Sequence, residues 1–233
     1  MKLGIAGRTA LIIGGSGLLG RAVATALIAE DVRVILAARD RSRLAEAAES
    51  VGGDVACLIV DTLDEASVKA AVERAGTVDI VVNAAAPPAQ TLDPARQGEP
   101  QEVLAAVDAK AMGYLRVMNA VLPGMRDRGF GRVVNISGQG AHLTLSVAGA
   151  VRNQAVITAA KVLADAYAGS GVTVNVVNPG VVTAAPSSAI APATGGESTP
   201  EQVAALVTFL CSGPAAAISG ESIAVGHRLL GVQ

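Results

Sequence analysis

Seven short runs rich in Val and Ile, at residues 10–13, 32–37, 55–60, 78–82, 132–136, 172–177 and 222–225, alternate with segments of helical spacing. A strand with one wet face alternates apolar and polar residues. These runs are almost continuously apolar, as strands covered on both faces are. The intervening segments, 18–30, 41–50, 64–75, 102–125, 148–169 and 200–211, hold good helix formers with apolar residues three and four apart. Thr62-Leu-Asp-Glu65 reads as a capping box opening the third helix. Repeated strand–helix–strand order implies right-handed crossovers in a parallel sheet. The expected fold is therefore α/β and Rossmann-like: three layers, about seven parallel strands, helices on both faces. With 51% apolar residues, 2% aromatics and no Trp, its core is built from Ala, Val, Leu and Ile.

The first strand runs into Leu11-Ile-Ile-Gly14-Gly15-Ser16-Gly17-Leu18-Leu19-Gly20. Glycines at 14, 17 and 20 permit a tight turn, a close backbone approach to a pyrophosphate and close helix–strand packing. The phosphates would then sit at the helix N-terminus, among the amides of Ser16, Gly17 and Leu19. The second strand ends Ala37-Ala38-Arg39-Asp40. An NAD site usually places an acid here for the ribose 2′-hydroxyl. Ala38 leaves that position empty and Arg39 offers a fork for a 2′-phosphate, so NADP(H) is the expected dinucleotide. Asp40 remains within reach of a ribose hydroxyl, and Arg39 has the alternative of a solvated residue at a helix start. Asp61 and Thr62 stand at the third strand end, where the adenine would lie. Asn83, Ala84 and Ala85 close the fourth, where small residues admit a ribose. Asp61 as a turn residue and Asn83 as a strand-end cap are the structural alternatives.

Net charge is −2 and no run of Lys or Arg is present, which is poor material for nucleic-acid binding. No leader or membrane-spanning segment is expected, and a cytoplasmic location follows. Cys57 and Cys211, far apart in apolar runs, read as two buried thiols in a reducing compartment. Nothing breaks residues 1–233 into more than one dinucleotide-binding domain. Segment 184–199, almost all Ala, Ser, Pro, Thr and Gly, reads as a mobile loop over the ligand crevice.

Beyond the glycine turn, Asp79-Ile-Val-Val-Asn83-Ala-Ala-Ala resembles the D-x-L-V-N-N-A-G of the short-chain dehydrogenase/reductase family. Gly131-Arg-Val-Val-Asn-Ile-Ser137-Gly138 resembles its G-x-I-V-N-I-S-S, and Val174-Asn-Val-Val-Asn-Pro179-Gly180 the strand before its nicotinamide. The resemblance covers almost the whole chain. It implies nicotinamide-side contacts from Pro179, Gly180, Val182 and Thr183, with Thr183 one residue early for the family pattern. It also implies a homodimer or homotetramer built on segments 102–125 and 148–169.

The family's usual chemistry rests on a Tyr, a Lys four residues later, a Ser, and an Asn on the long helix. Here the resemblance puts Gly149 at the Tyr, Asn153 at the Lys, Gly138 at the Ser and Lys110 at the Asn. Lys161 lies eight residues past Asn153, about 12 Å along a helix and about 80° around it, so it does not replace the missing lysine. The chain resembles a subgroup carrying D-x-K-x-x-G-Y on the long helix and Asn at the lysine position. The groups left at the strand ends are Lys110, to polarise an oxygen or to reach the surface; Ser137, to donate or to cap a strand end; His142, as an acid or as a solvated loop residue; and Ser146 and Asn153, to orient substrate. His227 reads as structural or interfacial. Two classes of function follow. One is an NADP(H)-dependent reductase acting on a small carbonyl, imine or enone. The other is a non-redox protein, a lyase, cyclase or scaffold, that keeps the dinucleotide as a structural or regulatory ligand.

Overall fold

The computed structural model describes residues 2–85, 95–96, 98–142, 146–187 and 196–226. The strands are β1 (Thr9–Ile13), β2 (Arg33–Ala38), β3 (Ala56–Ile59), β4 (Ile80–Asn83), β5 (Gly131–Ile136), β6 (Val172–Pro179), β7 (Val181–Val182), β8 (Glu197–Ser198) and β9 (Ser222–Val225). The helices are α1 (Leu18–Ile28), α2 (Arg41–Val51), α3 (Glu65–Ala75), α4 (Pro100–Val107), α5 (Gly113–Asp127), α6 (Val147–Ala166) and α7 (Pro200–Leu210). Seven strands form one sheet in the order β3-β2-β1-β4-β5-β6-β9, with every neighbouring pair parallel. This is the expected Rossmann-like sheet, and its order reverses between β1 and β4, where such folds open a crevice.

Successive residues of a strand face opposite sides. In β1, Leu11 and Ile13 enter the core layer beneath α3, α5 and α6, while Ala10 and Ile12 enter the one beneath α1, α2 and α7. Both faces are therefore dry, which is why the strands carry no polar alternation. The amino ends of the strands are tied by Phe130, with the Arg8 and Arg132 guanidinium carbons 3.8 and 4.5 Å from its ring centroid.

Several local expectations are corrected. The third helix is capped by Asp64, whose carboxylate accepts from Ala66 N at 2.9 Å, and not by a box starting at Thr62. The capping box that does form belongs to α7, between Thr199 and Gln202. Cys57 is exposed, because β3 is the sheet edge, whereas Cys211 is buried. Of segment 184–199, residues 188–195 lie outside the described residues, so the loop expectation stands apart from these corrections; at its end Glu197 and Ser198 pair with Val181 and Val182 as a two-stranded ribbon. The long helix is not uniform: a π turn, Asp108–Met112, is inserted between α4 and α5 with helical backbone on either side. Single-turn π bulges often sit at functional sites.

Candidate active site

At the crevice, the turn after β1 is held by Gly14 N and Gly15 N, which donate to Ala37 O at 2.8 and 3.1 Å. Gly14 has φ +82°, and a Cβ there would lie 2.5 Å from Ala85 N and 2.7 Å from Ala84 C. A Cβ on Gly20 would strike Gly14 O. The α1 N-terminus meanwhile carries no side-chain cap and no acid in its first turn. A glycine cradle that side chains would fill, ending on uncapped helix amides, fits a dinucleotide pyrophosphate. Ser16 and Leu19 are half-buried in this turn, and Leu19 leans on the core beneath α1.

Arg39 is exposed just past β2. Asp40 is committed to α2, its carboxylate accepting from Arg43 N at 3.0 Å. Asp61 adopts a turn role: its Oδ1 accepts from Leu63 N and its N–H donates to Ser67 Oγ, both at 3.0 Å. Thr62 O accepts from Arg116 Nη1 at 3.1 Å. Asn83 is fully buried, donating to Asn135 Oδ1 at 2.8 Å, so its side chain braces β4 to β5. Ala84 N donates to Ile13 O at 2.8 Å, which leaves Ala84 and Ala85 at the crevice rim beside Gly14. Beyond Pro179, Gly180 N donates to Val225 O at 3.2 Å and Thr183 N to Ser198 O at 3.0 Å, with Val182 in β7 between them.

The polar cluster lies at the carboxyl end of β5. Lys110, on the π turn, is only 4% exposed. Its ammonium donates to Ser137 O at 2.9 Å and to Asn153 Oδ1 at 2.7 Å. Ser137 Oγ donates to Asn153 O at 2.9 Å, so the hydroxyl locks β5 to α6. Tyr114, one turn past Lys110, donates from its hydroxyl to Ile136 O at 3.2 Å. The alternative of Lys110 reaching the surface is thus set aside: the π turn and the two acceptors hold it inside. Burial, helped by the Arg152 charge, lowers its pKa from the ordinary 10.5 to about 7. Burial raises that of Tyr114.

The remaining expected residues are dispersed. His142 is exposed and follows the short 3₁₀ turn Gln139–Ala141. Ser146 Oγ caps α6 by accepting from Gly149 N at 2.9 Å. Lys161 is an exposed lysine paired with Asp165 at 2.8 Å. His227 lies outside the described residues. Among the described residues no group of three or more His, Cys, Asp or Glu side chains could hold a metal.

The model of short chain dehydrogenases matches residues 8–193. The chain belongs to the short chain dehydrogenase family. This short-chain dehydrogenase is 31% identical to the (2S)-[(R)-hydroxy(phenyl)methyl]succinyl-CoA dehydrogenase subunit BbsC of Thauera aromatica, over 97% of this chain and 95% of the relative. It is 32% identical to the acetoacetyl-CoA reductase of Rhizobium meliloti, over 93% and 95% of the two chains. Among solved structures it resembles L-sorbose reductase from Gluconobacter frateurii, complexed with NADPH and L-sorbose, with a TM-score of 0.87, 25% identity and 100% of both chains covered. It is an oxidoreductase of this family, and the family's cofactor is a nicotinamide dinucleotide.

Three residues of the short-chain dehydrogenase's site were not singled out from sequence. Arg152 is 4% exposed beside Lys110 and Tyr114. The spacing of Ala148, Arg152, Val156 and Ala160 would have placed it on the buried stripe of α6. Tyr114 closes the D-x-K-x-x-G-Y pattern, which assigns it no role. Gln139 carried no signal: its amide ties the end of β5 to β9 and to the start of β8, donating to Val225 O at 3.0 Å and accepting from Gly196 N at 3.2 Å.

Proposed function

We propose that this short-chain dehydrogenase is an NADP(H)-dependent reductase of small organic carbonyl, imine or enone compounds, working through a non-standard site. Gly138, Gly149 and Asn153 stand where the family resemblance places Ser, Tyr and Lys. The observation that carries the reading is Lys110: a buried ammonium at the carboxyl end of β5, held by two neutral acceptors. Charge held in a fixed, water-poor setting stabilises negative charge growing on a substrate oxygen without further reorganisation. The bound cofactor supplies the hydride; the chain positions and polarises. Reductases among the relatives, and NADPH in the sorbose reductase complex, support the direction and the cofactor. Loss of NADPH absorbance with cyclohexanone, cyclohexenone, ethyl acetoacetate and pyrroline tests it. Bound NADP that neither exchanges nor turns over with any of these would favour the non-redox class instead.

Arg39 carries the cofactor preference, exposed at the end of β2 with Asp40 already engaged as a helix cap. A guanidinium–phosphate contact is worth roughly 1.5–3 kcal/mol. Arg39→Ala is therefore expected to weaken NADPH binding by roughly 10–150-fold while leaving NADH binding nearly unchanged. Tighter binding of NADH than of NADPH by the parent protein would overturn the assignment.

Leu104 on α4 and Val151 and Val162 on α6 are 68%, 42% and 61% exposed. Apolar side chains gathered on two packed helices suit a contact between copies, and a homodimer or homotetramer through this face is proposed. Light scattering at micromolar concentration should show more than one chain per particle, and a monomer would refute it. Among the described residues no helix is long and apolar enough to cross a membrane. Together with an exposed free thiol at Cys57, this supports a reducing, cytoplasmic setting.

A further inference from the structure

Lysine can only donate hydrogen bonds, so the atom of Asn153 that meets Lys110 Nζ at 2.7 Å is its oxygen. That contact fixes the orientation of the carboxamide. Its Nδ2 then faces Gly138 and Gly140: Cβ atoms built on those glycines would lie 3.4 and 3.2 Å from it. The same Cβ on Gly138 would be 3.8 Å from Pro179 O, so this amide group looks into the gap between the ends of β5 and β6. Neither Nδ2 hydrogen has a hydrogen-bond partner among the described residues. Nor is Nδ2 sealed in, unlike the enclosed and unbonded Asn83 Oδ1 and Ser198 Oγ.

We infer that the Asn153 Nδ2 group is the hydrogen-bond donor to the substrate oxygen, and that Lys110 acts behind it as a positioning residue. This rests on the reductase reading and specifies its substrate. The ammonium at Oδ1 polarises the amide, which makes its N–H groups stronger hydrogen-bond donors on the far side. An amide N–H stabilises an oxyanion but keeps its own proton. The ligand that suits it is an enone, ahead of a simple ketone: hydride delivered to its β-carbon would leave an enolate, whose charge spreads over oxygen and carbon, and water would supply the proton that completes the saturated ketone. Gly138 leaves the space in front of the amide open for that oxygen.

Asn153→Asp separates this role from simple support of Lys110. It keeps an oxygen for the ammonium, a stronger acceptor than the amide, and removes both N–H donors. With cyclohexenone, kcat/KM is expected to fall by about 10²–10³, with NADPH affinity and melting temperature retained. A second readout needs no turnover. Bound para-nitrophenol should ionise more readily than the free compound in the parent protein, seen as phenolate absorbance, and this gain should vanish in Asn153→Asp. Gly138→Ala is the second variant. Its backbone is extended (φ 167°) and its Cβ meets only ordinary contacts, so it folds while filling the oxygen's place, and kcat/KM should drop about tenfold or more. Full turnover or undiminished phenolate binding in Asn153→Asp overturns the inference and leaves the reductase reading standing. Phenolate binding that depends on Asn153 without turnover of any probe sinks the reductase reading and leaves the donor in place. No saturable phenolate binding together with no turnover overturns both.

Discussion

Lys110→Met is expected to lower kcat/KM by about 10²–10³ while NADPH affinity stays within a few-fold. Methionine keeps the unbranched stem and removes the charge. Ser137 O and Asn153 Oδ1 then lose their donor, and the amide of Asn153 is free to turn over. The two readouts part because the cradle around Gly14 and the cluster at the end of β5 are built from different elements. Equal loss of turnover and NADPH binding would show that Lys110 holds the fold of the crevice, and unchanged turnover would remove it from the reaction.

The pH dependence follows from the same residue. With a folded pKa of about 7 against an ordinary 10.5, the unfolded chain binds more protons than the folded one between those values. Stability therefore rises with pH across that window, and the penalty of the buried charge is fully present below it. Turnover runs the other way, since the ammonium is the active form: kcat/KM should decline as pH rises through about 7. Lys110→Met should flatten the stability rise, read by urea unfolding at several pH values between about 7 and 10. A variant with the parent's slope would mean that another group titrates there.

Gly14→Ala is expected to remove dinucleotide binding and to cost roughly 3 kcal/mol of stability, a fall in Tm of about 6–12 °C for a chain of this size. Two separate penalties meet at this position. An L-residue at φ +82° is strained, and the new Cβ would press on the backbone of Ala84 and Ala85, which has no side-chain freedom to yield. Gly76 makes a control: its φ is +69° but a Cβ there meets nothing within 4 Å. Gly76→Ala should lose about 1–2 kcal/mol to strain alone and keep full NADPH affinity. Calorimetry with cofactor titration measures both, and an intact affinity in Gly14→Ala would mean that the turn is not the cradle.

The sheet was legible because its signal is local. Near-continuous Val and Ile in runs of four to eight, punctuated by glycines, has few other solutions, and all seven runs became strands of the main sheet. Lys110, Ser137 and Asn153 were each visible as departures or remnants of a family pattern. Their mutual contact was not, since it joins residues 27 and 43 positions apart. Where side chains had several competing partners, sequence did not decide among them. Asp61 and Asn83 chose turn and strand-bridging bonds, and Ser137 turned its hydroxyl to α6. His142, a good acid by residue type, sits exposed beyond the 3₁₀ turn. Helical periodicity across 102–125 predicted one even helix, because no residue preference marks a π turn.

That π turn makes the site depend on chain length as much as on residue identity. An α-helix closes every turn with bonds to the fourth residue on; a π turn holds one residue more. Tyr114, Val117, Met118 and Val121 are buried and anchor α5. Removing one residue of the turn, Ala109 for instance, would let it relax to regular winding while α4 and α5 keep their phase, so the change would fall on the residues between them, Lys110 included. Ala106 would keep its place on the buried side of α4. Among relatives, the trait to compare along this helix is therefore the count of residues between the start of α4 and Tyr114. A chain one residue shorter there, though it kept every side chain named above, would wind this helix evenly and lack the offset on which Lys110 stands.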